Sequence, residues 1–465
     1  MRVAVIVAWK PKAVSQLDGQ TSREAARGQG VLSYNKSVPP FSGILLASLL
    51  PQHWDIELIH ESIRDVDLSM EVDAVFISTM DFSATHARWL CGQFKERKVK
   101  TIVGGLYPTL NAAYFLDSAD AVVVGEAEPV IEMVVRDLER GQLKHIYSAG
   151  TAADLSTLPR PRYDLVESDF LIPMSYEATR GCPFRCSFCV LSALPVPHRF
   201  RPVSAVLDDI RTEPLSWGRV QRKYVAFVDN NLGANREYFR QLCEVLPSVR
   251  KNWGCAMSLD AVTPTSARLM GKSNCRVVYV GLESLSSDSL KMMNKRHNKI
   301  SDYKKKIRLL HENGILVMSI FLIGMDGDTD AYLRALPDLI DEIGVDIPTF
   351  SLVAPIEGTT FRTSLELDGR LFPGDLNSFL DGSHLVYMPK EIKGAEVEPM
   401  LVSLIRETYR PFRLARRIMN VAGFGLRTFA LSSFANIGHR RYELAIASEV
   451  QDRLDKRGPW VFRRD

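Results

Sequence analysis

Apolar and polar positions divide the chain into two series of alternating elements. In the first series, residues 2–8 are apolar without alternation, as in a parallel strand buried on both faces. Strand-like runs recur at 54–59, 74–78, 101–103 and 121–124, with helical patterns at 41–50, 84–96 and 128–139. Strands alternating with helices predict a doubly wound, Rossmann-like parallel sheet, whose ligands bind beyond the carboxyl ends of its strands. The polar stretch 10–36 reads as a long loop with some helix. A second series follows residue 173. Strand-like runs at 224–228, 253–258, 276–281, 316–323 and 349–353 alternate with helical patterns at 203–210, 236–246, 264–270, 288–293, 302–313 and 329–343. Counting the run 175–179, these make six βα units, a partial barrel.

Residues 148–172, with Pro159 and Pro161 and little periodicity, read as a linker. Beyond about 360 the pattern changes, and 396–419 and 441–456 read as helices. The division is therefore a domain at 1–147, a linker at 148–172, a partial barrel at 173–358 and a mostly helical extension at 359–465. A length of 465 residues agrees with two or three domains, and 46% hydrophobic with 24% charged residues is ordinary globular usage. A net charge of +3 is too small to argue for nucleic acid. Met1–Val7 reads as a first strand rather than a signal peptide, and no apolar run reaches the ~18 residues of a membrane span. Seven cysteines, an odd number with three clustered, argue against a disulfide framework and for the reducing cytoplasm.

Those three carry the chemistry. Cys182, Cys186 and Cys189 stand at C-x3-C-x2-C spacing in a loop after the strand-like run 175–179. Thiolate is the soft ligand that iron–sulfur clusters require, so three of them can hold three irons of a [4Fe–4S] cluster and leave the fourth without a protein ligand. A structural zinc site would want four closed ligands, and no His or Cys follows at finger spacing. Upstream, three loops at predicted strand ends stand out: Ser78-Thr79-Met80-Asp81, Gly104-Gly105-Leu106-Tyr107-Pro108-Thr109 and Gly125-Glu126-Ala127-Glu128. Two glycines admit a close approach to something bulky, or simply a tight turn. Downstream, carboxyl ends of barrel strands are where chemistry is expected. They hold Asp229-Asn230-Asn231, Ser258-Leu259-Asp260, Gly281-Leu282-Glu283-Ser284, Gly324-Met325-Asp326-Gly327-Asp328 and Pro355. For Asp229, Asp260, Ser284 and Asp326 the alternative is that each caps the helix after it.

The cysteine spacing, with Gly181 before it and Phe188 inside it, resembles the radical S-adenosylmethionine (SAM) enzymes. Pro39-Pro40, Gly104-Gly105-x-x-Pro108-Thr109 and Gly125-Glu126-x-Glu128 resemble the cobalamin-binding domain of the B12-dependent members. Together the likeness covers nearly all of 1–390. It implies that Cys182, Cys186 and Cys189 ligate the [4Fe–4S] cluster. It implies that Phe188, Asp229, Asn230, Ser258, Asp260, Glu283, Ser284 and Gly324 surround SAM. Ser78, Thr79, Met80, Gly104, Gly105, Gly125 and Glu126 are implied to surround cobalamin. The chain departs from the better known B12 domains in lacking Asp-x-His-x-x-Gly. His86, the one histidine near the right loop, falls in a predicted helix.

The implied activity is C-methylation of an unactivated carbon of a small-molecule or lipid metabolite, fed by an electron donor such as flavodoxin or ferredoxin. Oxidation, cyclisation or ring contraction with the same domains is the alternative, and a cobalamin or redox sensor a third reading. In the extension, arginines and aromatic residues interleave over 410–434. Such a pattern suits peripheral contact with a membrane surface. The commoner explanation is a helix packed on the barrel with a solvated basic face.

Overall fold

The computed structural model describes residues 1–9, 38–167, 169–194, 196–212 and 221–457, so the polar loop expected at 10–36 lies outside the described residues. The chain forms two compact units. The described residues of one come from 1–177 and 199–222, and those of the other from 178–198 and 223–457. The predicted linker 148–172 and the helix Val203–Arg211 thus both fall within the first unit.

In the first unit, strands β1 (Arg2–Val7), β2 (Asp55–His60), β3 (Ala74–Thr79), β4 (Lys100–Gly105), β5 (Ala121–Val124) and β6 (Ile146–Ser148) form one parallel sheet in the order β2-β1-β3-β4-β5-β6. Val3, Ala4, Val5 and Ile6 are wholly buried, which accounts for an unbroken apolar run. The helix Ala84–Glu96 packs Ala84, Ala87, Leu90, Cys91 and Phe94 onto the sheet, at the spacing of one helical face. Strand β6 escapes the sequence pattern because only Tyr147 of its three residues is buried. Strands β3, β4 and β5 are neighbours, so the three notable loops share one edge of this sheet.

Three two-residue strands, β7 (Ser175–Tyr176), β8 (Thr179–Arg180) and β9 (Arg199–Phe200), lie around the cysteine loop in the chain. In the second unit β10 (Tyr224–Phe227), β11 (Asn252–Met257), β12 (Cys275–Glu283), β13 (Leu316–Ile323) and β14 (Ile347–Leu352) run parallel, each paired with the next. This succession is a barrel wall, and it puts all five carboxyl ends on one rim.

The extension differs from expectation. The helix expected over 396–419 is two helices, Gly394–Thr408 and Pro411–Asn420, because Pro411 starts the second at a position where its missing N–H costs nothing. The helix expected over 441–456 is the end of one 32-residue helix, Leu426–Arg457. The basic face is only partly solvated, with Arg410, Arg416 and Arg427 exposed and two other arginines turned to the protein. Arg413 pairs inward with Asp338 and Asp341, and Arg417 is buried over the Tyr409 ring.

Candidate functional site

The cysteine loop is held from several sides within the second unit. Gly181 opens it at φ +86°, and a Cβ there would lie 2.6 Å from the Pro197 carbonyl oxygen, so only glycine fits. Asp229, at the end of β10, accepts hydrogen bonds from the backbone N–H groups of Ala178 and Thr179. The Ser187 N–H and hydroxyl donate to the carbonyls of Met293 and Met292, at 2.9 and 3.0 Å, and Asn294 donates to the Arg185 carbonyl at 2.7 Å. Phe361 N–H donates to the Ser187 carbonyl at 3.0 Å, which ties the start of the helix Thr360–Leu367 to the same loop.

Cys182 and Cys189 are half-buried and Cys186 is buried. Burial, with the neighbouring Cys189, Glu283 and Cys182, pushes the Cys186 thiol up to about 11 against the opposing Lys295 ammonium. The remaining thiols behave differently. Cys91, Cys243, Cys255 and Cys275 are core residues, and desolvation pushes the first and second up to about 12 and raises the other two well above the usual thiol range. Among the described residues no three His, Cys, Asp or Glu side chains converge on a single ion. A cluster takes one thiolate on each of three irons, and three free thiols on one loop fit that demand.

Asn231 is the residue that sequence reasoning left out of the site. Its Oδ1 accepts from the Ser258 N–H at 3.0 Å, and its amide nitrogen lies 3.1 Å from Ser258 Oγ and 3.8 Å from Cys182 Sγ. It is buried, while its neighbour Asn230 is exposed. The only sequence signal was the repeated asparagine at a strand end.

Around the rim, the capping alternative fails for the four residues it was weighed for. The helices after β10, β11, β12 and β13 are capped by Asn235, Thr263, Ser286 and Thr329, whose side chains accept from Tyr238, Ser266, Ser289 and Tyr332 N–H groups. Asp326 instead receives both arms of Arg370, at 2.7 and 2.8 Å. Ser284 shares a hydrogen bond of 2.9 Å with Tyr332 OH. Glu283 sits at φ +64° beside a register shift in β12, and its Oε1 accepts from Lys295 Nζ at 2.7 Å with both side chains buried. Lys295 Nζ also lies 5.9 Å from the centre of the Phe188 ring, and against burial, the Glu283 carboxylate together with Cys186 and Cys189 holds this ammonium above its usual range. His297 stacks on Phe184, centroids 3.7 Å apart, and burial with the nearby Lys295 charge pulls it down to about 4, so the imidazole is neutral.

Among the described residues, three buried acceptors on this rim have no donor: Glu283 Oε2, Asp260 Oδ1 and Asn298 Oδ1. The SAM amino group and ribose hydroxyls are donors, so this rim fits that ligand. Gly324, at φ +101°, faces Tyr387 OH, which donates to its carbonyl at 2.9 Å, and Asp328 accepts from its N–H. His384, by contrast, is held by Asp381 and by Arg453 of the helix Leu426–Arg457.

On the edge of the first unit, Thr109 Oγ1 donates to the Gly105 carbonyl at 2.7 Å and accepts from Gly125 N–H at 3.0 Å, which knits two loops together. Gly105 needs its glycine for the sheet itself, because a Cβ would strike the Thr79 backbone. Gly104 does not, since its Cβ would meet Val123 only at an ordinary 3.4 Å. A bare backbone that packing does not demand fits close approach by a bulky cofactor. Ser78 is half-buried, Thr79 bonds to Ser83 at 2.9 Å, and Met80 is exposed at the same edge. Glu126 is committed to Arg199 and the Ala153 N–H, so it closes the loop rather than facing a ligand. His86 is buried in its helix with Nε2 2.8 Å from Glu61 Oε1.

Residues 176–340 match the model of the radical SAM superfamily. The chain carries a radical SAM domain. The matched span holds the cysteine loop and strands β10 to β13. The bacteriochlorophyllide d C-12(1)-methyltransferase of Chlorobaculum tepidum is 28% identical over 391 residues, covering 82% of this chain and 84% of that one. The hopanoid C-2 methylase of Rhodopseudomonas palustris is 26% identical over 73% of this chain and 66% of its own length. Among solved structures, the radical S-adenosylmethionine methyltransferase TsrM from Kitasatospora setae, with cobalamin and [4Fe–4S] cluster bound, aligns over 98% of this chain and 99% of that one. Its TM-score is 0.62 at 14% identity, a likeness of fold.

Proposed function

We propose that this radical SAM protein is a cobalamin-dependent C-methyltransferase acting on an unactivated carbon of a small-molecule or lipid metabolite. The observation that carries the reading is the pairing of two parts in one chain. A three-thiol loop stands beside a rim with donor-seeking acceptors, and a separate parallel sheet presents a bare Gly104 edge. When bound, the cluster, SAM and cobalamin supply the electron, the hydrogen-abstracting radical and the methyl group. The protein's part is to place them. Asn231 and Asp229 fix the cysteine loop, while Glu283, Asp260 and Asn298 offer acceptors to SAM donors. Lys295 neutralises the buried Glu283 charge. Electrons come from a donor such as flavodoxin or ferredoxin, and clustered free thiols suit a reducing compartment such as the cytoplasm.

The chemistry balances as one substrate C–H, two SAM and two electrons giving the methylated product, S-adenosylhomocysteine, methionine and 5′-deoxyadenosine. The test is anaerobic incubation of SAM carrying a deuterated methyl group with candidate metabolites, read by mass spectrometry. Label in a product that depends on added cobalamin, with S-adenosylhomocysteine matching 5′-deoxyadenosine, is the expected result. An oxidised, unlabelled product with 5′-deoxyadenosine alone would assign the chain to oxidation or cyclisation instead.

A further inference from the structure

The C-terminal extension is built inside out. On the first half of the helix Leu426–Arg457, the buried stripe is polar: Thr428, Ser432, Asn436, His439 and Glu443, each less than a tenth exposed and repeating at three or four residues. The opposite stripe is apolar and open, with Leu426 82%, Phe434 54% and Ile437 48% exposed. Further along, Ala447 and Val450 are buried and the ordinary pattern returns. The preceding helix, Pro411–Asn420, repeats the inversion. Arg413 and Arg417 turn inward, while Phe412 at 74% and Met419 at 63% exposure stand one above the other on its outer face. An ordinary surface helix does the reverse, because water takes the polar face.

Charge tells what covers this face. From residue 408 to 442 the sequence has seven arginines and no Asp or Glu. Arg416 and Arg427 are exposed among the apolar residues. Apolar side chains ringed by arginine complement the interface of an anionic bilayer, where acyl chains take the former and lipid phosphates the latter. A second copy of this chain is the poorer occupant, since a twofold pairing would set each arginine patch against itself. Among the described residues no helix is long and apolar enough to cross a membrane, so the helices would lie in the interface plane.

We propose that residues 410–441 form a docking face for anionic lipid bilayers, through Phe412, Met419, Leu426, Phe434 and the flanking Arg416 and Arg427. The proposal does not depend on which reaction the radical SAM site performs. Its test is flotation of the full-length, anaerobically reconstituted protein with vesicles of phosphatidylcholine, with and without phosphatidylglycerol. Expected is co-flotation with the anionic vesicles, weakened by salt. Leu426→Ser combined with Phe434→Ser should weaken binding about tenfold or more. Arg416→Glu and Arg427→Glu should each weaken it roughly fivefold. All four positions are solvent-exposed, so iron content and melting temperature should stay at wild-type values. Failure to float with anionic vesicles would overturn the proposal. So would a dimer in light scattering that these same substitutions dissolve, which would assign the face to a second copy.

Discussion

Asn231→Ala tests whether the second unit ties its cluster loop to its ligand rim through one side chain. The substitution removes the acceptor of the Ser258 N–H and the amide donor 3.8 Å from Cys182 Sγ. A buried N–H left without a partner costs about 1–3 kcal/mol. In a unit of this size that should lower the melting transition by roughly 2–10 °C. The donor to sulfur acts on a different quantity. Reduction adds negative charge to the cluster and its sulfurs, so an N–H directed at Cys182 favours the reduced form. A long bond of this kind contributes about 0.5–1 kcal/mol. For one electron a tenfold change is 59 mV, so the midpoint potential should fall by about 20–40 mV. Asn231→Asp should lower it further, because a carboxylate replaces the donor. The assay is EPR-monitored redox titration of the reconstituted protein beside a thermal melt. Asn230→Ala is the control, since that side chain is exposed and should leave both readings alone. An Asn231→Ala protein with wild-type potential and melting would refute the anchoring role, as would an equal effect from Asn230→Ala.

Other outcomes follow from the same structure. Cys182→Ala, Cys186→Ala or Cys189→Ala should each abolish SAM cleavage and cut the iron content below the ~4 of an intact cluster, measured by iron assay and chromatography. Alanine at Cys91, Cys243, Cys255 or Cys275, all core thiols, should leave cleavage in place. Gly105→Ala should destabilise the first unit in a thermal melt because its Cβ strikes the Thr79 backbone, whereas Gly104→Ala should melt normally yet hold less cobalamin by absorbance. Burial pushes Asp81 and Asp328 each from the usual aspartate value up to about 6, so the folded state favours their protonated forms. That contribution to stability is fully present below pH ~4 and is lost as pH rises through about 6, at most about 3 kcal/mol for each. Wild-type melting temperatures compared with those of Asp81→Asn and Asp328→Asn across pH 4–7 check the sign, and a difference that grows toward acid in the variants' favour would reverse it.

Elements with strong local periodicity were legible in the sequence. The helix Ala84–Glu96 and the strand Leu316–Ile323 form with the bounds their patterns predict, because burial there repeats with the period of the element itself. Three cysteines on one loop were legible for the same reason, since the spacing carries the chemistry. What escaped depends on distant partners. Lys295 and Asn298 lie in a polar loop whose place beside Glu283 and Gly281 is set by the fold of β12, not by neighbours in sequence. Asn231 is distinguished from Asn230 only by which of them points inward. The first half of the helix Leu426–Arg457 escaped because its polar residues face in, so a search for an apolar buried stripe looks on the wrong side.

The positions of the helix caps explain why the barrel rim is available for a ligand at all. A carboxylate at a strand end is commonly used up closing the next helix, and a rim built that way has no acceptors to spare. Here each cap lies several residues further along, at Asn235, Thr263, Ser286 and Thr329. The strand-end groups are thereby released for other partners, and they divide in two. Asp229 and Asp326 spend their oxygens on the cysteine loop and on Arg370, so they hold the frame. Glu283 and Asp260 each keep one buried oxygen without a donor, joined by Asn298 Oδ1. A buried acceptor without a donor costs about 1–3 kcal/mol, so a rim that carries three is destabilised until donors arrive. An amino group and two ribose hydroxyls are donors of that number, and their binding would recover what folding left unsatisfied. On this argument SAM should raise the melting temperature of the wild type more than that of Glu283→Gln. A carboxamide can present its NH2 in place of the second acceptor, and it also leaves Lys295 without its counter-charge. Equal stabilisation of both proteins by SAM would mean that the free oxygen of Glu283 does not face the ligand.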